Sequence, residues 1–185
     1  MRVRARRPRP LNDVSPSPGP SSQGPSSQGP SSQGSSQGPS SQGPSLGPSL
    51  DLTEADHALI AAAHDVLARH YRTFWHTVAA AIRGRDGRVW TGLHLGTTVG
   101  RLSVCAEAVA LGRAIMDGDG TIEMAVAVRH PKPDETDREL AVVPPCGACR
   151  ELILDYDPDA LVIVKENGHL VKRPVRALLP LPYRR

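Results

Sequence analysis

The chain has 185 residues, 39% of them hydrophobic but only 3% aromatic, and a formal charge of +3. Five arginines against Asp13 leave +4 in residues 1–50, so residues 51–185 carry −1. A near-neutral domain poor in rings argues against a surface that grips nucleic acid, and no run approaches the length of a membrane span. Residues 1–50 read as a disordered Pro/Gly/Ser/Gln-rich tail with a basic start, and residues 51–185 as one globular domain. The tail repeats Gly-Pro-Ser-Ser-Gln from Gly19, with one shortened copy, through Gln42. It has too few apolar residues to offset its own ordering entropy. No apolar stretch follows its arginines, so a cleavable signal peptide is not expected. A reducing cytoplasm is the expected setting, and clustered cysteines there suggest metal or chemistry before disulfides.

Within the domain, Thr53 is the expected N-cap of a helix reaching about Arg72, with Leu59, Ala62, Ala63, Val66 and Leu67 on its buried face. Strands are predicted over Thr77–Ile82 and Val89–Leu95, joined by Gly84-Arg85-Asp86-Gly87, where two glycines supply positive φ. A helix follows from about Val104 to Met116, closed by Asp117-Gly118-Asp119-Gly120. Next come a strand at Ile122–Val128, a polar loop from His130 to about Glu139, and a short approach at Ala141–Val143 to Pro144-Pro145. A helix over Gly147–Tyr156, a strand at Leu161–Lys165, a turn at Asn167-Gly168 and a short segment to Leu179 complete the chain. Trp90 is expected in the core. Lys172, Arg173, Arg176, Arg184 and Arg185 read as a solvated basic face. An early hairpin followed by alternating helices and strands predicts an α/β fold, a mixed sheet with helices packed on it.

The chemistry-bearing residues stand at predicted helix starts. Cys146-Gly147-Ala148-Cys149 is a Cys-x-x-Cys pair, which alone fits half a zinc site, a redox pair or chance. Cys105-Ala106-Glu107 adds a third cysteine. Unpaired N–H groups at a helix N-terminus favour the thiolate, and three thiolates leave a tetrahedral zinc with one open position. Glu107, two residues after a cysteine, can exchange protons with water at that position without binding the metal. A ligand, x, Glu, then Pro-Cys-x-x-Cys is the pattern of zinc deaminases, and Pro145 precedes Cys146 here. Three thiolates on Zn²⁺ give a net negative shell, which two helix N-termini reduce. Arg150 could reduce it further by a hydrogen bond to a ligand sulfur, or could be an ordinary surface arginine.

These residues carry a resemblance to the cytidine deaminase superfamily, in its three-cysteine branch of cytidine and blasticidin S deaminases. The matching stretches are Val78–Ile82, Asp86-Gly87, Thr91-Gly92, Cys105–Glu107, Pro145–Arg150 and Leu178–Pro180. The resemblance implies a three-layer fold with a mixed five-stranded sheet between helices. It implies one Zn²⁺ per subunit on Cys105, Cys146 and Cys149, with Glu107 as proton shuttle. It also implies a homotetramer or homodimer with active sites near subunit interfaces. The substrate is then a small cytosine nucleoside or an analogue, hydrolysed to the uracil form with release of ammonia. Nucleic acid and membrane are not expected as partners. The backbone near Ala106 and Cys146 would orient the base.

Three departures stand out. Where the family carries Asn-x-Glu-Asn for the ribose hydroxyls, this chain has His94-Leu95-Gly96-Thr97. His76 stands where an aromatic residue is expected near the base, so His94 and His76 join Ala106 as candidate substrate contacts. The arginine usual after Cys-Ala-Glu is Ala108. The cytosine chemistry is retained while sugar recognition is rewritten. Other readings stay open: a structural zinc closed by His94, a toxin-like deaminase of polynucleotide cytosine, or a catalytically silent zinc-stabilised scaffold.

Overall fold

The computed structural model describes residues 50–183, so the tail expected over 1–50 lies, apart from Leu50, outside the described residues. The first helix, α1, spans Glu54–His70 with Thr53 at its N-cap and Asp56 completing a capping box. Leu59, Ala63 and Leu67 are buried as the apolar period predicts, joined by Ile60, while Ala62 and Val66 are half-buried. Asp56 is fully buried. Its carboxylate accepts hydrogen bonds from the Thr53 N–H, from Lys172 Nζ at 2.8 Å and from the Arg83 guanidinium at 2.8 Å. Burial works against its ionisation, but Lys172, Thr53 and Arg83 outweigh it and hold this carboxyl well below the ordinary carboxylate range.

Six strands form one sheet: β1 Val78–Arg83, β2 Val89–Leu93, β3 Met124–Arg129, β4 Ala141–Val143, β5 Leu161–Glu166 and β6 His169–Pro174. The continuous path is β2-β1-β3-β5-β6, five strands as expected, with β4 as a sixth paired to β3. Only β3 and β5 pair in parallel, across a crossover that contains helix α3, Gly147–Tyr156. Helix α2, Ala106–Asp117, connects β2 to β3 over β1.

Alternation along the strands sends side chains to two cores. Ala79, Ala81, Met124, Val126, Val128 and Ile163 pack with α1. Ala80, Ile82, Ala125, Ala127, Val162 and Val164 face the opposite side, with Ala106, Ala110 and Leu111 of α2 and Ile153 of α3. Trp90 is buried, as predicted.

Three expectations are corrected. The segment after Asn167-Gly168 is a full strand, β6, bridged on its outer side to Leu50. Lys172 and Arg173 in it are no solvated face; both are buried, with Lys172 paired to Asp56 and Arg173 to Glu166. In the first hairpin only Gly87 takes positive φ, at 82°. Gly84 is there for space, since a Cβ on it would meet the Trp90 ring at 2.8 Å.

The glycine that matters most for the site is Gly92 on β2. A Cβ there would lie 2.4 Å from both the Ala106 carbonyl oxygen and the Ala110 nitrogen. The first turns of α2 therefore lie directly on the strand backbone, and nothing larger than hydrogen fits between them.

Candidate active site and metal centre

Both site helices begin at a cysteine. Cys105 is the N-cap of α2 and Cys146 the N-cap of α3, each with extended backbone and neither capped by a side-chain hydrogen bond. The segment feeding α2 is pinned by paired backbone hydrogen bonds between Leu95 and Val104, at 2.9 and 3.0 Å. Cys149, one turn into α3, is buried, whereas Cys105 is half-exposed and Cys146 exposed.

The three Sγ atoms lie within 4.8 Å of one another, and among the described residues they are the one such group of potential metal ligands. Cys105 and Cys146 place their sulfurs 3.7 Å apart. Ligands about 2.3 Å from a tetrahedral zinc stand about 3.8 Å from each other, so this spacing fits the ion. The chemistry of the donors fits as well. Burial, then the Glu107 carboxylate, pushes the Cys149 thiol far up, and burial also raises Cys105. Cys146 is moved the other way: burial opposes ionisation, but the Cys149 N–H and the neighbouring thiols outweigh it. A bound cation is what allows a set of this kind to carry three thiolates.

Cys105 and Cys146 open on a cavity of about 140 Å³, lined also by Ala106, Glu107, Val78, His94, Val143 and Pro144. Glu107 is 7% exposed and Ala106 is buried against the sheet. Val78, Val143 and Pro144 make apolar walls, and among the described residues no lysine or arginine lines the cavity. Nothing in the sequence pattern singled out those three residues; the pairing of β4 with β3 brings Val143 and Pro144 there.

His94 lies on the cavity wall. Its N–H donates to the Val78 carbonyl, and its Nδ1 stands 3.5 Å from Thr77 Oγ1. Burial, and secondarily nearby His76, lowers its pKa, with Glu107 acting in the opposite sense. His94 is not grouped with the three sulfurs as a fourth ligand. His76 stands behind it, with Nδ1 at 2.9 Å from the His94 carbonyl oxygen, and is not among the lining residues. Arg150 does not reach a sulfur in any hydrogen bond of the described residues. Its Nε donates to the Pro145 carbonyl at 2.9 Å, and its guanidinium also donates to the Leu178 carbonyl at 3.0 Å.

Residues 53–165 match the family described as the cytidine and deoxycytidylate deaminase zinc-binding region. A blasticidin-S deaminase from Bacillus cereus is 42% identical over 137 residues, covering 74% of this chain and 98% of the relative. A probable cytidine deaminase from Dictyostelium discoideum is 26% identical over 127 residues, covering 69% of this chain and 82% of the relative. Among solved structures, a cytidine deaminase from Burkholderia pseudomallei superposes with a TM-score of 0.56 at 27% identity, covering 71% of this chain and all of that one. The chain belongs to the cytidine and deoxycytidylate deaminase family, with its fold and its zinc-binding region.

Proposed function

We propose that this protein is a zinc-dependent hydrolytic deaminase that converts a cytosine nucleoside, or an analogue of one, to the uracil form with release of ammonia. The observation that carries this reading is the convergence of three thiols at the starts of two helices, two of them lining one cavity with Glu107. Cys105, Cys146 and Cys149 are the metal ligands. When bound, zinc supplies Lewis-acid activation of a water at neutral pH. The Glu107 carboxylate takes a proton from the attacking water and gives it to N3 of the ring as C4 accepts the oxygen. The same carboxylate then carries the proton of the new C4 hydroxyl to the C4 amine, and the C4–N bond breaks to release ammonia as the C4 carbonyl forms. The N–H groups at the starts of α2 and α3 orient the base, and the apolar walls keep water from the far side of the ring. His94 is the substrate contact beyond the base, with His76 behind it.

The walls favour a nucleoside over a nucleotide, because among the described residues no lysine or arginine lines the cavity to receive a phosphate. The Bacillus cereus relative is named for blasticidin S, and His94–Thr97 stands in place of the ribose motif, so an analogue is the better candidate than cytidine. Residues 51–185 carry the activity, in a homotetramer or homodimer working in the reducing cytoplasm. Among the described residues no helix is long and apolar enough to cross a membrane.

The test is ammonia release from cytidine, deoxycytidine and blasticidin S by zinc-loaded protein. Turnover of at least one, with the highest kcat/KM for blasticidin S, is the expected result. Turnover of none, with zinc stoichiometrically bound, would overturn the reading.

A further inference from the structure

Cys146 is the most exposed of the three cysteines, directly after Pro144-Pro145 and without a side-chain cap, yet it must hold one direction to serve as a ligand. Arg150 grips the backbone on both sides of it. The Arg150 N–H donates to the Cys146 carbonyl at 2.9 Å, the first helical bond of α3, which any residue but proline would make, and the Arg150 side chain adds Nε donating to the Pro145 carbonyl at 2.9 Å. One residue thus fixes the two peptide planes that meet at the Cys146 Cα, and with them the Cα–Cβ vector that aims the sulfur. Among the described residues every peptide bond is trans, so the Pro145 C=O and the Cys146 N–H point in opposite directions across their shared plane. With the carbonyl turned to Arg150, the N–H is turned away from it. That N–H has no hydrogen-bond acceptor among the described residues, and Cys146 lines the cavity.

The same guanidinium reaches Leu178, 28 residues onward, in the 3-10 turn Val175–Leu178. The fork of an arginine can hold two carbonyls at once, which a lysine ammonium on a flexible stem cannot do with fixed geometry.

Resting on the zinc deaminase reading, we propose that Arg150 is a positioning residue. It acts on Cys146 through the backbone, not through a sulfur, and locks the Cys146 thiol and N–H against the C-terminal 3-10 turn. The position after Cys-Ala-Glu is Ala108 in this chain, so no arginine stands there to share the task.

The experiment uses cobalt(II) as the probe, in the full chain, with Arg150→Ala, Arg150→Lys, Arg150→Gln and, as a control, Glu151→Ala. Glu151 is the neighbouring residue and holds the same C-terminal segment through the Tyr183 N–H at 2.7 Å. Two readouts are taken: the thiolate-to-cobalt charge-transfer absorption, and cobalt retention against a chelator. Arg150→Ala is expected to weaken cobalt retention about ten- to hundredfold, the range for loss of a group supporting a metal ligand. The energy of the absorption band should stay where it is in the wild type. Arg150→Lys and Arg150→Gln should restore retention only in part, and Glu151→Ala should retain cobalt like the wild type. Wild-type retention in Arg150→Ala would overturn the proposal. So would a shifted band, which would mean a lost N–H···S bond, or full rescue by lysine. If Arg150→Ala does not fold, the lysine and glutamine variants give the same decision. A wild type that takes up cobalt without a thiolate band would overturn the metal reading itself, a result distinct from any failure confined to the Arg150 variants.

Discussion

The two faces of the sheet solve the same problem, how to start a helix, in opposite ways. On the α1 face the helix start is closed: Asp56 bonds back to Thr53, and its charge is met by Lys172 and Arg83 inside the core. On the other face α2 and α3 start at Cys105 and Cys146, with no Ser, Thr, Asp or Asn as N-cap, beside the cavity that both cysteines line. A capped start stabilises the fold and can do no chemistry. An uncapped start costs stability but leaves donors and a positive dipole end where thiolates and a polar substrate can use them. Two buried carboxylates differ in the same way: Asp56 under α1 is paired to Lys172 and Arg83, whereas Glu107 of the cavity has no ion pair among the described residues.

The sharpest way to break this division is to remove a thiol. Cys149→Ala should abolish both metal retention and turnover while leaving the α1 face folded; zinc stoichiometry by atomic absorption and circular dichroism check both halves. Next in size is Gly92→Ala. A methyl group 2.4 Å from the α2 backbone must push that helix off β2, so zinc retention and kcat/KM should fall by at least about tenfold. Retention and activity equal to the wild type would show that α2 needs no close seat on the strand.

On the other face the effects should appear in stability alone. Asp56→Ala leaves Lys172 and Arg83 buried without their shared partner and should cost about 3–5 kcal/mol in denaturant unfolding. The Asp56 carboxyl is depressed in the folded state, so its contribution is fully present above the unfolded value, about 3.9, and lost as pH falls toward the folded value. The wild type should therefore lose more stability than Asp56→Ala does between neutral pH and acid. The smallest effect is expected from Thr53→Ala, about 0.5–2 kcal/mol, with unchanged kinetics.

The same division explains how much could be read beforehand. α1 and α3 were legible because their apolar residues recur at helical spacing and their starts carry recognisable residues, Thr53 and Cys146. The Cys105–Glu107 and Pro145–Cys149 spacing pointed to one cluster before any geometry was known. β6 was hidden because Lys172 and Arg173 look like surface, and the carboxylate that meets Lys172, Asp56, is 116 residues away. α2 begins at Ala106, two residues later than the apolar pattern suggested, because Val104 is used in the bridge to Leu95. The cavity walls were not legible, since Val143 and Pro144 reach the site only through strand pairing. Nor was the double grip of Arg150, because backbone carbonyls leave no mark in a sequence.

The most direct test of the site is Glu107→Gln, measured as ammonia release together with bound zinc. Glutamine keeps the shape but cannot carry the proton. The expected result is full zinc occupancy with kcat lowered by at least about 10²–10⁴, the range for loss of a general acid–base group. Turnover within a few fold of the wild type, at equal zinc content, would contradict the assignment of Glu107 as the proton carrier.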